Sequence, residues 1–498
     1  MPLFAMVVFA TALSAGAARA DDAAVVPPVE PPPNPNTVPS ANPMSLFGSQ
    51  RGAGSTVGFG RIGNSWYFQL DPFLQLNFGK LGLAVQVPLD LLSPLPVPTA
   101  ADKASAIDHV IYRQDFPRLT VDTYGHYLAM IRMVRWGEPS DPFYFQWGQF
   151  LGETIGHGTV VDRYDNALDP NNPKAGLAFA VNTDYAGGEV FTDNLAWPST
   201  ELLAGRLYVR PLAIAGMGTW AKKWAVGVTF ADDRTAPEGE SPGAFESAGP
   251  PFATGSEVLP TRPAMVIGVD TEYRLLDTSV LSLTPYVDLN DERTQAGSWG
   301  LHVGVLGRFA IPIANAVRIW ARLEYRLMQP GYIPDYFDAI YDVQRGAYPV
   351  SSTLLVDKAA AALYLAPEGP QGLRHMVHGI YGEATVDVLS LVQAGATFSA
   401  IPQVPESGNL MVFATLPHLG PVKVSAYYLH ENFATTKDFF TLDDHSSLSG
   451  IVMYDIVGPL WVYAAITRTW VADAGSDGAV HYDPLTTESF GLEVYAPF

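Results

Sequence analysis

Arg318, Arg322 and Arg326 recur at every fourth residue, with Glu324 between the last two. In an extended chain, residues an even number of steps apart share a face, so neighbouring arginines stand about 13 Å apart along one side of a strand. Asp270, Glu272 and Arg274 repeat this pattern upstream, and Glu383 and Asp387 repeat it downstream. Apolar residues fill the alternate positions: Val317, Ile319, Ala321, Leu323, Tyr325 and Leu327 around the arginines, and Met265, Ile267, Val269 and Tyr273 around the first acids. The charged faces cannot meet lipid, where an Arg or Lys at the bilayer midplane costs about 2–4 kcal/mol on a strand. They cannot be a dry core without partners either. The reading they support is a water-lined wall carrying a basic ladder, with Asp270 and Glu272 expected about 10 Å away laterally at 4.8 Å per strand. Such opposed charges create a transverse field that orders polar solutes and sorts ions by sign. Replacing Arg322 and Arg326 with Ser is expected to shift selectivity toward cations with little loss of stability.

A second chemical candidate is the loop Gly152 to Gly176, with Gly156-His157-Gly158-Thr159 followed by Asp162 and Asp165. His157 beside Asp162 invites a hydrolytic reading, yet the chain contains no G-x-S-x-G, H-E-x-x-H or P-loop. Asp165, Asp169 and Asn171 offer oxygens at alternate positions, as calcium loops do, but Ala167 interrupts the series and no bidentate Glu follows. Turn formation explains these residues, and no metal or other cofactor is expected. The chain has no cysteine, which excludes thiol catalysis, disulfides and Cys-ligated zinc. Its net charge of −21 offers no basic stripe for phosphates, so nucleic acid is not an expected partner.

The elements that must hold these residues are strands. Of the 498 residues 48% are hydrophobic and 16% charged, yet after the start no apolar run is long enough for a helical span. Alternation reconciles the two, beginning with the hairpin Trp66 to Phe78 and Leu81 to Leu89. Nineteen candidate strands follow this pattern between Trp66 and Phe498. From residue 264 onward their connections alternate in length: Asp277 to Ser279, Leu389-Ser390 and Val457 to Pro459 are short, whereas 290–299, 329–375 and 433–445 are long. The longest, 329–375, carries its own apolar residues. There Asp335 is expected to cap a short helix through Tyr336, Phe337, Ile340 and Tyr341, with Gly346 closing it, and Leu354 to Leu365 forms a second apolar piece. So many apolar side chains seek a surface, and the reading is a folded-in lid or constriction, with a simple external cap as the alternative.

Met1 to Ala20 reads as a secretory signal, with an apolar core from Leu3 to Leu13 and Ala18-Arg19-Ala20 as its cleavage site, although no Lys or Arg precedes the core. Residues 21–63 form a Pro- and Gly-rich segment expected in the periplasm, and 64–498 the strand domain. The final strand sets Phe490, Leu492, Val494, Ala496 and Phe498 on one face, with Ser489, Gly491 and Glu493 among the residues between them. It resembles the closing strand of bacterial outer-membrane β-barrels, which typically ends in Phe after alternating apolar positions. The resemblance implies an all-β, antiparallel up-and-down transmembrane barrel in the cell outer membrane, touching its lipid, with long extracellular loops and short periplasmic turns. It demands an even number of strands: eighteen is the expected count, within sixteen to twenty, and a strand hidden in Ser55 to Ile62 would alter it. The function it implies is a pore for passive diffusion of small hydrophilic solutes or ions, not an enzyme. In that pore Arg318, Arg322, Glu324, Arg326, Asp270, Glu272, Arg274, Glu383 and Asp387 line the lumen. The alternatives are a barrel enzyme with a hydrolytic site at the extracellular mouth, and a closed structural or adhesive barrel. Deleting Phe498 or replacing it with Asp is expected to impair insertion.

Overall fold

Alternating strands pair in chain order until the sheet closes on itself. The computed structural model describes residues 52–62, 65–87, 89–92, 130–137, 141–166, 174–195, 201–236, 263–294, 297–311, 317–345, 348–351, 354–356, 358–365, 375–389, 391–404, 406–443, 446–474 and 480–497. The signal and linker readings and Phe498 lie outside them. Strand β1 (Gly52–Ile62) pairs antiparallel with β2 (Ser65–Phe78) on one side and with β26 (Val480–Pro497) on the other. β3 (Leu81–Gln86) and β4 (Leu89–Leu92) both lie on β2 and form one interrupted strand. β13 (Ala264–Tyr273) and β14 (Leu276–Asp277) likewise share β15 (Leu281–Arg293). The wall is therefore a closed antiparallel barrel of twenty strands. That number is even and within the expected range. The nineteen alternating stretches are all present, and β1 is the hidden twentieth. The sheet accordingly begins at Gly52 rather than at residue 64. The segment 126–136 contributes β5 (Ile131–Trp136), with 126–129 outside the described residues.

Side chains divide between the faces as alternation requires. On β17 (Val317–Met328), Leu323 is 61% and Tyr325 46% exposed, while Arg322, Glu324 and Arg326 turn inward and are 4%, 5% and 2% exposed. Phe59, Leu207, Val228, Val269, Ile380 and Phe490 are among the large apolar side chains exposed on other strands. Closure leaves no unpaired edge for water to satisfy, and the outward greasy belt suits a hydrocarbon surround. Inside, Gly54 of β1 faces Phe73, whose Cζ would lie 2.6 Å from an added Cβ, and Gly52 lies equally tight beneath the Tyr495 ring. A glycine face on β1 lets the neighbouring rings lie along the wall.

Two connections from the same rim fold into the lumen. The first, between β6 (Phe143–Gly148) and β9 (Gly176–Asn182), carries the hairpin β7 (Leu151–Ile155) and β8 (Val161–Asp165). The second, between β17 and β20 (Val377–Val388), carries a helix at Tyr341–Gln344, the small hairpin β18 (Tyr348–Ser351) with β19 (Leu354–Val356), and a helix at Lys358–Leu365. Asp335 does not cap a helix as expected. It takes a left-handed φ of 53° in a turn, and the helical turn begins only at Tyr341. Asp162 N donates to the Phe337 carbonyl at 3.0 Å, and Phe337 N to the Val160 carbonyl at 3.1 Å, joining the two connections. Phe150, Val161 and Tyr164 from one, and Ile333, Phe337 and Tyr341 from the other, pack with wall residues such as Phe191, Leu202 and Val266. Each large apolar side chain fully buried this way contributes about 1.5–3 kcal/mol. The apolar core of this barrel thus lies within it, and the described parts of the 329–375 connection that carry Ile333, Phe337, Tyr341, Ala361 and Ala362 turn inward rather than forming an external cap.

Candidate functional site inside the barrel

The tip of the β7–β8 hairpin reaches the charged wall. Gly156 (φ 60°) and Gly158 (φ 78°) adopt backbone conformations that L side chains rarely take. A Cβ on Gly158 would also strike Arg322 Nη1 and lie 2.8 Å from Asp162 Oδ1. Between these glycines His157 points into a socket of carboxylates. Its Nδ1 lies 2.9 Å from Asp288 Oδ1 and its Nε2 2.9 Å from Glu272 Oε2, and its ring stacks on Tyr286 at 4.2 Å and 8°. A neutral imidazole donates through one nitrogen, so two carboxylate partners require the imidazolium. Burial opposes that charge, but Asp288 and Glu272 outweigh it and push the His157 pKa up to about 9. Thr159 Oγ1 adds a bond to Asp288 Oδ2 at 2.8 Å, Gly156 N donates to Glu189 Oε1 at 2.6 Å, and Arg322 Nη1 donates to the His157 carbonyl.

Arg322 is the hinge of a second cluster. Its Nη2 meets Asp162 Oδ2 at 2.7 Å and its Nε faces Glu383 Oε2 at 3.5 Å. Arg163 of β8 reaches the same acid, with Nη2 2.6 Å from Glu383 Oε1. Tyr381 lies among three guanidiniums: Arg322 and Arg326 sit 4.1 and 4.7 Å from its ring centroid, and Arg163 Nη1 donates to its hydroxyl at 3.3 Å. Arg326 pairs with Glu324 at 2.5 Å and Asp335 at 2.6 Å, and Glu324 also takes His302 Nδ1 at 2.9 Å and Tyr286 Oη at 2.7 Å.

The nine residues expected to line the lumen are thus found, with one exception, on the inner face. Arg318 pairs with Asp387 at 3.0 Å on a separate rung of the ladder. Asp270 is clamped by Arg206, Nε to Oδ2 at 2.9 Å and Nη2 to Oδ1 at 2.6 Å. Arg274 is the exception: it follows the last residue of β13 and is half-buried, close enough for its charge to act on Glu272 of the first cluster. Two expectations are corrected. Strands β15 and β16 (Ser298–Ala310) both separate the acids of β13 from the arginines of β17, so the spacing is three strand steps, about 14 Å rather than 10 Å. And the inner charges of Arg322 and Arg326 meet protein: the barrel is too wide for wall side chains to fill, and the infolded connections fill it there. Loss of these arginines would strand buried carboxylates, so little loss of stability is no longer the expectation. His157 sits deep in the lumen on Asp288 and Glu272, whereas Asp162 belongs to Arg322.

Sequence reading set Asp288 on a polar strand face but gave it, Arg206 and Arg163 no role in the site, and it missed the role of Asp162. Asp288 and Arg206 each alternate with apolar residues on their strands, which marks them as inward-facing, but nothing in their spacing names a hairpin tip as the partner of Asp288 or Asp270 as that of Arg206.

Two cavities flank the Arg322 cluster. One of 160 Å³ lies between the 333–340 turns and strands β20, β21 (Val392–Ala400), β22 (Gly408–Leu419) and β23 (Val422–Phe433), and is bordered by Asp162, Arg163, Arg326, Asp335 and Tyr381. The other, of 240 Å³, is bordered by His157, Asp162, Ser282, Thr284, Arg322 and Glu383. Asp162 borders both.

No family model matches the sequence, and no curated protein matches it. Solved structures align over most of the chain. A ferric enterobactin receptor (PfeA) variant from Pseudomonas aeruginosa aligns over 90% of this chain and 81% of its own, at 10% identity and a TM-score of 0.35. OccK11 (OpdR) from Pseudomonas aeruginosa aligns over 90% and 96%, at 9% identity and a TM-score of 0.31. Wzi, an outer membrane protein of Escherichia coli involved in group 1 capsule assembly and a carbohydrate-binding β-barrel, aligns over 91% and 86%, at 8% identity and a TM-score of 0.34. With its closed wall of twenty strands, greasy outside and charged within, this chain forms an antiparallel β-barrel whose exterior suits a lipid surround.

Proposed function

We propose that the protein is a pore for passive diffusion of small hydrophilic solutes, with a path that runs beside the infolded connections rather than down an open axis. The observation that carries this reading is the pair of cavities, 160 and 240 Å³, that lie on either side of the Arg322 cluster and share Asp162 as a bordering residue. A solute moving between them passes Arg322, Glu383, Arg163 and Tyr381, which makes these residues the constriction. Ion pairs that bridge loop and wall can exchange partners with a passing polar solute, whereas an apolar plug would offer none. On this reading the chain is not an enzyme, since both ring nitrogens of His157 are already engaged by carboxylates and neither is left to serve as a base. The test is reconstitution in a planar bilayer, with swelling assays in sugars of graded size. Discrete conductance steps and a sharp size limit are expected. Membranes that hold folded protein but show no steps and no swelling would refute the pore and favour a closed barrel.

A further inference from the structure

We propose that the connection after β23 is a membrane flap, which lies down the outer face of the barrel and sets Phe440 and Leu442 among the acyl chains of the surrounding lipid. The inference is independent of the pore, since it concerns the outer side of the wall. Lys423 and Ser425 are buried within the barrel, so Val424, Tyr428 and His430 of β23 point outward. They pair with Val452, Leu448 and Ser446 of β24 (Ser446–Val457), on which Val452 and Tyr454 are exposed. Residues 434–443 fold back over this outer row. Phe439 packs on Phe433, with ring centroids 4.9 Å apart, and on Phe398 of β21 at 6.0 Å, while Phe440 packs on Tyr428 at 5.7 Å. Two straps hold the fold-back: Tyr428 Oη donates to the Thr441 carbonyl at 2.7 Å, and His430 Nε2 lies 3.2 Å from Asp443 Oδ2. His430 is consequently buried although it faces outward.

Height and charge say what covers the far side of the flap. Tyr428 stands seven residues above the turn at Gly420-Pro421. That is about 23 Å along a strand at 3.3 Å per residue, and about 18 Å in height at a tilt of about 40°. The exposed Val452 and Tyr454 show that the apolar band begins near that turn, and such a band is about 25 Å tall. The Phe440 ring on Tyr428 therefore stands within the band. Phe440 and Leu442 nonetheless remain 69% and 54% exposed. The acids that would oppose entry into hydrocarbon are tied off: Asp438 accepts from Thr435 N at 3.1 Å and Thr435 Oγ1 at 2.9 Å, and Asp443 rests on His430. Backbone that meets lipid must satisfy its polar groups internally. Here Asp438 N donates to the Thr435 carbonyl, Thr441 N to the Asp438 carbonyl and Asp443 N to Ser446 Oγ, each at 3.0 Å. The exposed Lys437 precedes the apolar part, and its long stem lets the ammonium reach headgroups. The flap thus continues the greasy exterior belt instead of interrupting it.

The chain has no cysteine, so a single introduced one takes a nitroxide label uniquely. Phe440→Cys, Leu442→Cys and, as a lipid-facing reference, Leu323→Cys are labelled in the full chain and reconstituted in dioleoylphosphatidylcholine vesicles. Power saturation of the spectra reads collisions with oxygen, which concentrates in hydrocarbon, and with nickel ethylenediaminediacetate, which stays in water. At residues 440 and 442, as at 323, the oxygen-to-nickel ratio should exceed that of the urea-unfolded chain by about tenfold or more, the exclusion expected of a polar probe from hydrocarbon. Each substitution leaves the other apolar side chain and both straps in place, so the two positions test the flap separately. An aqueous ratio at either position puts the flap in water and overturns the proposal. Low collision rates with both probes, together with spectral broadening that disappears when unlabelled chain is added, would mean that a second copy covers the flap, and would overturn it equally.

Discussion

His157 provides a quantitative handle on the hairpin that enters the lumen. Its pKa is about 9 in the folded protein against an ordinary 6.5. A raised pKa contributes stability that is fully present below pH 6.5 and is lost as pH rises through 9. The shift corresponds to about 3 kcal/mol, or roughly 300-fold in the docking equilibrium of the tip, at 1.36 kcal/mol per unit. The side chain is 2% exposed, so little of this is screened by solvent. Amide exchange in the segment 151–165, corrected for its intrinsic pH dependence, should show protection falling progressively from pH 6.5 to 9 while wall strands stay protected. His157→Gln, which cannot donate to Asp288 and Glu272 as a cation, should show the reduced protection already at pH 6 and little further change. Constant protection to pH 10 in the unaltered chain, or the same pH-dependent loss in His157→Gln, would refute the latch.

Excising Gly331 to Gly369 removes Phe337 and Tyr341 from the lumen core, so conductance should rise while the barrel keeps its heat-modifiable migration on gels; unchanged conductance would place the path elsewhere. Arg322→Ser with Arg326→Ser leaves Asp162, Glu383 and Asp335 short of partners, so reversal potentials at low salt should move toward cations, and stability should fall by about 3–5 kcal/mol per broken buried pair, read as a lowered unfolding midpoint in denaturant.

The wall was legible because a period of two survives in nearly every strand. Leu323 and Tyr325 against Arg322, Glu324 and Arg326 give the two faces without any structure. β1 was the strand hardest to read, and its glycines explain why: Gly52, Gly54, Gly58 and Gly60 occupy the inner positions, so the polar half of the alternation is blank. What the inner charges meet was not legible. Asp288 and Glu272 lie 131 and 115 residues from His157, and no spacing rule links a loop tip to a wall so far along the chain. The 329–375 connection did announce itself, since Phe337, Tyr341 and Leu354 are too apolar for a solvent loop. Asp335 misled, because an Asp before an apolar run reads as a helix cap, whereas here Arg326 holds it in a left-handed turn.

The seam between β1 and β26 constrains how the barrel can be assembled. All other wall pairs join neighbours in chain order, and each can form before the two ends of the sheet meet. This one joins residues such as Thr56 and Glu493, 437 positions apart, along a register of eleven residues from Gly52 to Ile62. The chain entropy of so long a closure is modest, since each doubling of loop length adds only about 0.6 kcal/mol. The unpaired edges matter far more. Until the seam forms, two rows of backbone amides and carbonyls face hydrocarbon, at several kcal/mol for each unsatisfied group. A half-inserted, open sheet is therefore not a resting state in lipid. Closure and insertion must coincide, or both edges must be paired by another surface until they meet.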